Sequence, residues 1–114
     1  MTSGIKTVIY PVKDLAQAKA LYGTILGVEP DVDKAYYVGF SINGQHIGLD
    51  PNGHDSGMTG PVGYWHVDSI HQSIKDLLAA GAVENQAIQD AAGGRLVATV
   101  TDPDGNVIGL IQGP

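Results

Sequence analysis

The chain has 114 residues, a length that suits one compact domain, and 43% of them are hydrophobic, which supports a buried core. Its net charge of −6 argues against a nucleic-acid-binding protein, because binding nucleic acid requires clustered cations. The absence of cysteine excludes disulfides, thiol nucleophiles and thiolate metal sites.

The sequence also gives no sign of a membrane or a secretory segment. No apolar run approaches the ~20 residues that a membrane helix requires. The opening residues lack the long apolar stretch of a signal peptide. We therefore expect a cytoplasmic protein that does not bind membranes.

The first predicted elements are a strand and a helix. Residues 5–12 are rich in β-branched side chains and predict a strand that ends near Pro11, because proline cannot donate to a sheet ladder. Asp14 then suits the N-cap of a helix, apolar residues follow at helical spacing, and Gly27 suits its C-terminal stop.

A short connection or edge strand at residues 30–33 leads into a predicted hairpin. Residues 36–42 and 46–50 predict two strands, and the Asn43-Gly44 pair between them is a strong signal for a tight turn. Residues 52–61 are rich in glycine and polar side chains, which predicts a linker or a lid.

The second half of the chain predicts the same order of elements. Residues 62–67 form a strand, and Ser69 caps a helix that ends at Gly81. Three further strands are expected at residues 83–89, 95–101 and 107–112.

The two halves also share a local sequence. Gln45-His46-Ile47-Gly48-Leu49 returns as Asn106-Val107-Ile108-Gly109-Leu110. We therefore predict one α+β domain (residues 1–114) of two tandem βαβββ units, residues 1–51 and 62–114. Each helix covers one face of its sheet, so the other face needs a partner in this chain or in a second copy.

Three motifs resemble those of the vicinal oxygen chelate superfamily. They are Val12-Lys13-Asp14-Leu15, Leu21-Tyr22-Gly23-Thr24-Ile25-Leu26-Gly27 and Asp102-Pro103-Asp104-Gly105-Asn106. This superfamily includes glyoxalase I, extradiol dioxygenases, fosfomycin-resistance transferases and bleomycin-resistance proteins. The resemblance implies a curved mixed sheet around a cleft, and it points to an architecture rather than to a reaction.

The resemblance also implies where metal ligands would stand. Metal-dependent members place His, Gln or Glu at one inward position on the first and last strand of each unit, which here correspond to Thr7, Gly48, Val62 and Gly109. None of these residues offers a strong ligand. We therefore expect no metal and no cofactor, and the glycines leave room for an organic ligand, although they could also mark bulges or close sheet packing.

Strand alternation predicts which residues line the site. The predicted ligand-binding residues are Tyr64, His66, His46, Asp50, Thr7, Ile9, Gly48, Val62 and Gly109. The phase of the middle strands is ambiguous, so the further candidates are Tyr36 or Tyr37, Phe40, Val97 and Thr99. The residues expected on the helix side are all apolar: Val8, Ile47, Leu49, Trp65, Val67, Ile108 and Leu110.

Several alternatives remain for the histidines. His46 and His66 could be ordinary sheet residues, could act as a general base with Asp50, or could form a displaced metal site with it. His54 and His71 are expected in solvent, and no nucleophile motif is present, so the catalytic residues are unassigned.

We predict a metal-independent protein that sequesters a small organic ligand, such as a cationic or aromatic one, in a cleft between the βαβββ units, similar to the bleomycin-resistance branch. It is expected to be a homodimer. One alternative is a glyoxalase-like lyase or dioxygenase-type enzyme that uses a displaced metal or metal-free histidine chemistry. Another is a structural or regulatory module without a pocket.

Overall fold

A computed structural model describes residues 2–114 and divides the chain into two compact units. The N-terminal unit comprises Lys6–Val62, and the C-terminal unit comprises residues 2–5 together with Gly63–Pro114. The predicted α+β class and the repeated βαβββ order are confirmed. Within residues 2–114, no helix combines the length and the apolar character needed to cross a bilayer.

The N-terminal unit is a mixed four-stranded sheet with a helix on one face. Its elements are β1 (Thr2–Pro11, of which residues 2–5 group with the other unit), α1 (Leu15–Leu26), β2 (Val32–Lys34), β3 (Tyr37–Ile42) and β4 (Gln45–Asp50). The strands lie in the order β2-β3-β4-β1, in which β1 is parallel to β4 and the other pairs are antiparallel.

Helix α1 begins and ends at the residues that the sequence indicates. The side chain of Asp14 accepts a hydrogen bond from the backbone N–H of Gln17 at 3.0 Å, which satisfies one of the helix's free N-terminal donors. Gly27 ends the helix in the left-handed conformation, with φ 71°, and its N–H donates to the carbonyl of Gly23.

The core of the N-terminal unit lies between α1 and the sheet. Its buried residues are Ala18, Val38, Phe40 and Leu49, and Ile47 packs against them. Phe40 is fully buried in this core and lies against Gly23 of α1. Phe40, which the sequence left as a possible wall of the ligand site, therefore lies on the helix side of β3, whereas Tyr37 of the same strand lies on the other face.

The C-terminal unit has the same arrangement. Its elements are β5 (Val62–Val67, whose first residue groups with the other unit), α2 (Ile70–Ala79), β6 (Val83–Ala91), a short 3-10 helix (Ala92–Gly94), β7 (Arg95–Thr101) and β8 (Val107–Gln112). The strand order is β5-β8-β7-β6, with β5 parallel to β8 and the other pairs antiparallel.

Two side chains fix the start of α2. Ser69 accepts from the N–H of Gln72 at 3.2 Å, as the sequence predicts. Gln112, at the end of β8, accepts from the N–H of Ile70 at 2.8 Å. Ile70 is fully buried, so the second bond satisfies a donor that water cannot reach easily.

The core of the C-terminal unit shows which residues of each strand face α2. Ile70, Ala98 and Leu110 are buried between α2 and the sheet, and Val67 and Ile108 pack against them. Trp65 pairs with Leu110 and so shares the helix side, but it is 38% exposed and only partly covered. Alternation places the following residues on the opposite face: Tyr64, His66, Val97, Thr99, Gly109 and Ile111.

Candidate functional site

The face of the N-terminal sheet that α1 does not cover carries most of the predicted site. We call it the helix-free face. Strand alternation places on it Thr7, Ile9, Tyr37, Gly39, His46, Gly48 and Asp50. Thr7 lies opposite His46 and Ile9 lies opposite Gly48, so three adjacent strands contribute to one surface.

A short polar contact on this face joins Tyr37 and His46. The phenol oxygen of Tyr37 and Nε2 of His46 are 2.7 Å apart, which is a short hydrogen bond between two half-buried side chains. The two rings are nearly parallel, with an interplanar angle of 15° and 6.0 Å between their centroids. We refer to them as the Tyr37–His46 pair.

Two glycines lie directly beneath this pair. Gly39 and Gly48 face each other across β3 and β4, and both are buried. A Cβ at Gly48 would overlap the phenol oxygen of Tyr37, and it would lie 2.6 Å from Cδ1 of Ile9. A Cβ at Gly39 would lie 2.6 Å from Cε1 of His46. Only glycine at both positions lets the rings lie against the backbone of the sheet.

Asp50 has a structural role in this unit. Its carboxylate accepts from the N–H of Asn52 at 2.8 Å, and its carbonyl accepts from the N–H groups of Val12 and Gly53 at 3.0 and 3.2 Å. These bonds form the turn that follows β4. Asp50 therefore lies on the expected face, with its carboxylate engaged in the turn.

A second tyrosine lies over the second glycine of the repeat. A Cβ at Gly109 would lie 2.7 Å from Cδ2 of Tyr64 and 2.8 Å from the carbonyl oxygen of Gly63. Tyr64 comes from the neighbouring strand β5 and is paired with Gly109. Each glycine of the repeated Ile-Gly-Leu sequence is thus covered by a tyrosine ring.

In the C-terminal unit, the sheet face that α2 does not cover is mostly apolar apart from Tyr64 and His66. Val97 pairs with Ile111 next to the Tyr64 strand, and Ile111 is buried. Thr99 is 3% exposed, and its hydroxyl accepts from the side chain of Asn85 and from the N–H of Gln86 at 3.0 and 3.1 Å. Both donors belong to the edge strand β6, so the Thr99 hydroxyl links β6 to β7.

The two units are not chemically equivalent despite their common pattern. Thr99 lies opposite Gly109 as Gly39 lies opposite Gly48, so Val97 and Val107 hold the places that correspond to Tyr37 and His46. The hydrogen-bonded pair of rings therefore belongs to the N-terminal unit, and the corresponding surface of the C-terminal unit is aliphatic.

The residues at the four positions implied for metal ligands do not fit a metal. Gly48 and Gly109 have no side chain, and tyrosine rings fill the volume where a Glu or His side chain would begin. Val62 has no donor atom, and a single Thr7 hydroxyl is a poor ligand. Within residues 2–114, no group of three or more His, Asp or Glu is placed to hold a metal ion.

The hydrogen bonds of the Asp-Pro-Asp-Gly-Asn turn lower one carboxyl pKa. The side chain and backbone N–H of Asn106 donate to Asp102 at 2.9 and 2.8 Å, and the N–H of Asp104 donates at 3.0 Å. Because these donors favour the charged form, the pKa of Asp102 is lowered. The motif that suggested the family therefore acts as a turn that leads into β8.

A second side chain with a shifted pKa, Tyr22, packs against the core of the N-terminal unit. Burial raises the pKa of Tyr22, and the neighbouring Tyr10, whose ring centroid is 4.9 Å away, raises it further. Tyr10 and Tyr22 pack against the α1 core, on the side of the sheet away from the Tyr37–His46 pair.

Sequence reasoning did not resolve the central role of Tyr37. It left Tyr36 and Tyr37 as equal candidates, whereas Tyr36 is 66% exposed and Tyr37 lies on the helix-free face. It also overlooked Gly39. The sequence did contain a signal for Gly39. A two-residue turn at Asn43-Gly44 sets the hairpin register, and that register pairs Gly39 with Gly48. His54 and His71 are exposed, as predicted.

The sequence and fold of this chain can be compared with those of known proteins. The model of the glyoxalase/bleomycin resistance protein/dioxygenase superfamily matches residues 4–110. Among proteins of curated function, none matches this sequence.

Solved structures show the same fold at low identity. A structure described as an NAD-dependent benzaldehyde dehydrogenase from Legionella pneumophila has a TM-score of 0.75 at 16% identity and covers 95% of this chain and 98% of its own. Methylmalonyl-CoA epimerase from Mycobacterium tuberculosis gives 0.73 at 16%, covering 99% and 89%. The Mn(II)-bound glyoxalase from Novosphingobium aromaticivorans gives 0.69 at 21%, covering 97% of this chain and 39% of its own.

Proposed function

Because this chain belongs to the glyoxalase/bleomycin resistance protein/dioxygenase superfamily, we propose that it is a metal-independent binding protein for a small organic molecule. The observation that carries this proposal is the pair of tyrosine rings over Gly48 and Gly109. These rings take the space from which metal ligands would project. They also provide the aromatic surface that is typical of organic-ligand sites.

The ligand is proposed to contact the helix-free faces of the sheets. In the N-terminal unit these faces offer the Tyr37–His46 pair, with Ile9 and Thr7 on the next strand. In the C-terminal unit they offer Tyr64 and His66, with aliphatic neighbours on β7 and β8. A few polar groups among apolar ones are the composition expected for recognition of a small organic molecule.

The test combines metal analysis with ligand titration. The purified protein is dialysed against EDTA, analysed for transition metals, and titrated by calorimetry with metal-free bleomycin and with planar aromatic cations. We expect no stoichiometric metal, and measurable binding that EDTA leaves unchanged. Stoichiometric zinc, nickel, iron or manganese that survives dialysis would contradict the proposal, as would the absence of heat with every compound.

A second candidate function rests on the 2.7 Å contact between Tyr37 and His46. A histidine that is hydrogen-bonded to a phenol can take up or release a proton, so the pair could serve metal-free acid–base catalysis. Two structures of this fold are described as an epimerase and a glyoxalase, and epimerisation moves a proton from carbon.

Solvent exchange tests this second candidate. Methylmalonyl-CoA and the methylglyoxal–glutathione hemithioacetal are incubated with the protein in D2O, and deuterium incorporation is followed by mass spectrometry. An enzyme of this kind would incorporate deuterium, and His46→Gln would abolish the incorporation. Incorporation equal to that of a protein-free control would count against the acid–base candidate and would favour simple binding.

A further inference from the structure

We propose that the Tyr37–His46 pair forms a flat stacking platform that receives a planar conjugated group of the ligand, neutral or cationic. This inference rests on the proposed binding function and adds the class of ligand and the residues that recognise it. Tyr37 and His46 are its two components, and Gly39 and Gly48 support it from below.

The geometry shows that the two rings lie side by side. The phenol oxygen and Nε2 are edge atoms in the planes of their rings, and they are 2.7 Å apart. The ring planes differ by only 15°, and the centroids are 6.0 Å apart. The two rings are therefore nearly parallel and joined at their edges, so together they present a larger aromatic surface than either ring alone.

The two glycines fix the height of this surface. Gly39 and Gly48 are direct partners in the hairpin, and the Cβ positions of both would collide with ring atoms of the pair. Ring atoms of both side chains therefore lie close against the backbone of the hairpin. A platform that is held by the sheet below and by a hydrogen bond between its halves loses little conformational entropy when a ligand binds.

The chemistry of the surface selects the ligand class. Phenol and imidazole rings present π faces, which stack on planar conjugated groups and attract cations that lie over them. The net charge of −6 disfavours anionic ligands. Tyr37 and His46 are only partly buried, so a solute can reach part of the pair.

Three probes distinguish recognition of a planar group from recognition of charge alone. Proflavine is a planar cation, tetrapropylammonium is a non-planar cation, and 2-naphthalenesulfonate is a planar anion. In calorimetric titrations of the whole protein we expect proflavine to bind and tetrapropylammonium not to bind, with the anion weaker than proflavine. Equal binding of both cations would show that charge alone is recognised and would overturn the platform.

Substitutions at two neighbouring tyrosines test whether the ligand binds at the platform. Tyr37→Leu should weaken proflavine binding by about tenfold or more, because aromatic stacking on that ring is lost. Tyr36→Leu is the matched control, since Tyr36 is the preceding residue and is 66% exposed; its affinity should stay within about twofold of the unchanged protein. If Tyr37→Leu binds proflavine as the unchanged protein does, the platform is wrong, while the binding function stands.

A measurement on the unchanged protein avoids any effect of substitution on folding. Proflavine stacked on the platform should shift the NMR signal of the His46 ring upfield by its ring current. His54 and His71 are exposed and serve as internal controls whose signals should not move. Proflavine binding that leaves the His46 signal unmoved would refute the platform alone. If neither the probes nor metal-free bleomycin binds, the binding function fails together with the platform.

Discussion

The phenol oxygen of Tyr37 occupies the volume above Gly48 that the Cβ of any other residue at position 48 would fill. Tyr37 comes from β3, two residues away from the partner of Gly48 in the sheet register. This relationship gives the repeated Ile-Gly-Leu sequence a structural reason. Glycine is needed there because an aromatic ring rests on it.

Gly48→Ala should destabilise the protein and displace Tyr37. The atoms that its methyl group would meet are the outer atoms of the Tyr37 and Ile9 side chains, which can move, so we expect a cost of about 1–3 kcal/mol rather than loss of the fold. Urea unfolding measures the change. Gly48→Ala combined with Tyr37→Ala should be less destabilised than the sum of the two single variants, with a coupling of about 0.5 kcal/mol or more. Simple additivity would contradict the predicted overlap.

Gly109→Ala should be more damaging and harder to rescue. Its methyl group would lie 2.8 Å from the carbonyl oxygen of Gly63, which belongs to the backbone and cannot rotate away. Removing the Tyr64 ring relieves only part of the conflict. We therefore expect Gly109→Ala with Tyr64→Ala to remain less stable than Tyr64→Ala alone in the same unfolding assay. Full recovery in the double variant would show that the backbone contact does not matter.

The Asp102 turn should make stability depend on acid pH. Because hydrogen bonds lower its folded pKa below the usual 3.8, ionised Asp102 stabilises the folded state. That contribution is complete above the usual carboxyl pKa and is lost as the pH falls through the lower folded-state pKa. Asp102→Asn should therefore lower the melting temperature at neutral pH, and the difference from the unchanged protein should shrink in acid. A difference that is the same at every pH would contradict this role.

The N-cap of α1 should contribute to stability. Asp14→Ala removes the bond to the N–H of Gln17 and should cost about 1 kcal/mol in free energy of unfolding. Asp55→Ala is a suitable control, because Asp55 is an exposed acidic residue in the turn after β4, and it should leave the unfolding midpoint nearly unchanged. Equal effects of the two substitutions would indicate a charge effect instead of capping.

The expected homodimer can be tested by sedimentation. Leu21 and Ile25, one turn apart on α1, are 63% and 81% exposed, and exposed apolar surface of this kind often marks a contact with another chain. We expect a dimer at micromolar protein concentration. A single monomeric species under those conditions would contradict the prediction.

The sequence predicted much of the architecture because the signals concerned are local. The Asp14 and Ser69 caps, the Gly27 stop and the Asn43-Gly44 turn act within a few residues of their own positions. Alternation along β4 and β8 is likewise local, and it places Ile47 and Leu110 against their helices as expected. These features follow from backbone geometry, and distant residues need not be known.

The composition of the site depended on tertiary structure. The choice between Tyr36 and Tyr37, the contact of Tyr37 with His46, and the position of the rings over Gly39 and Gly48 all require the register between β3 and β4. The side of the sheet on which Phe40 lies stayed open for the same reason, since the phase of a middle strand is set by what packs on each of its faces. The sequence by itself determined that glycines stand at the repeated positions. Only the folded sheet decided that a tyrosine lies over each of them, because that contact joins residues from different strands.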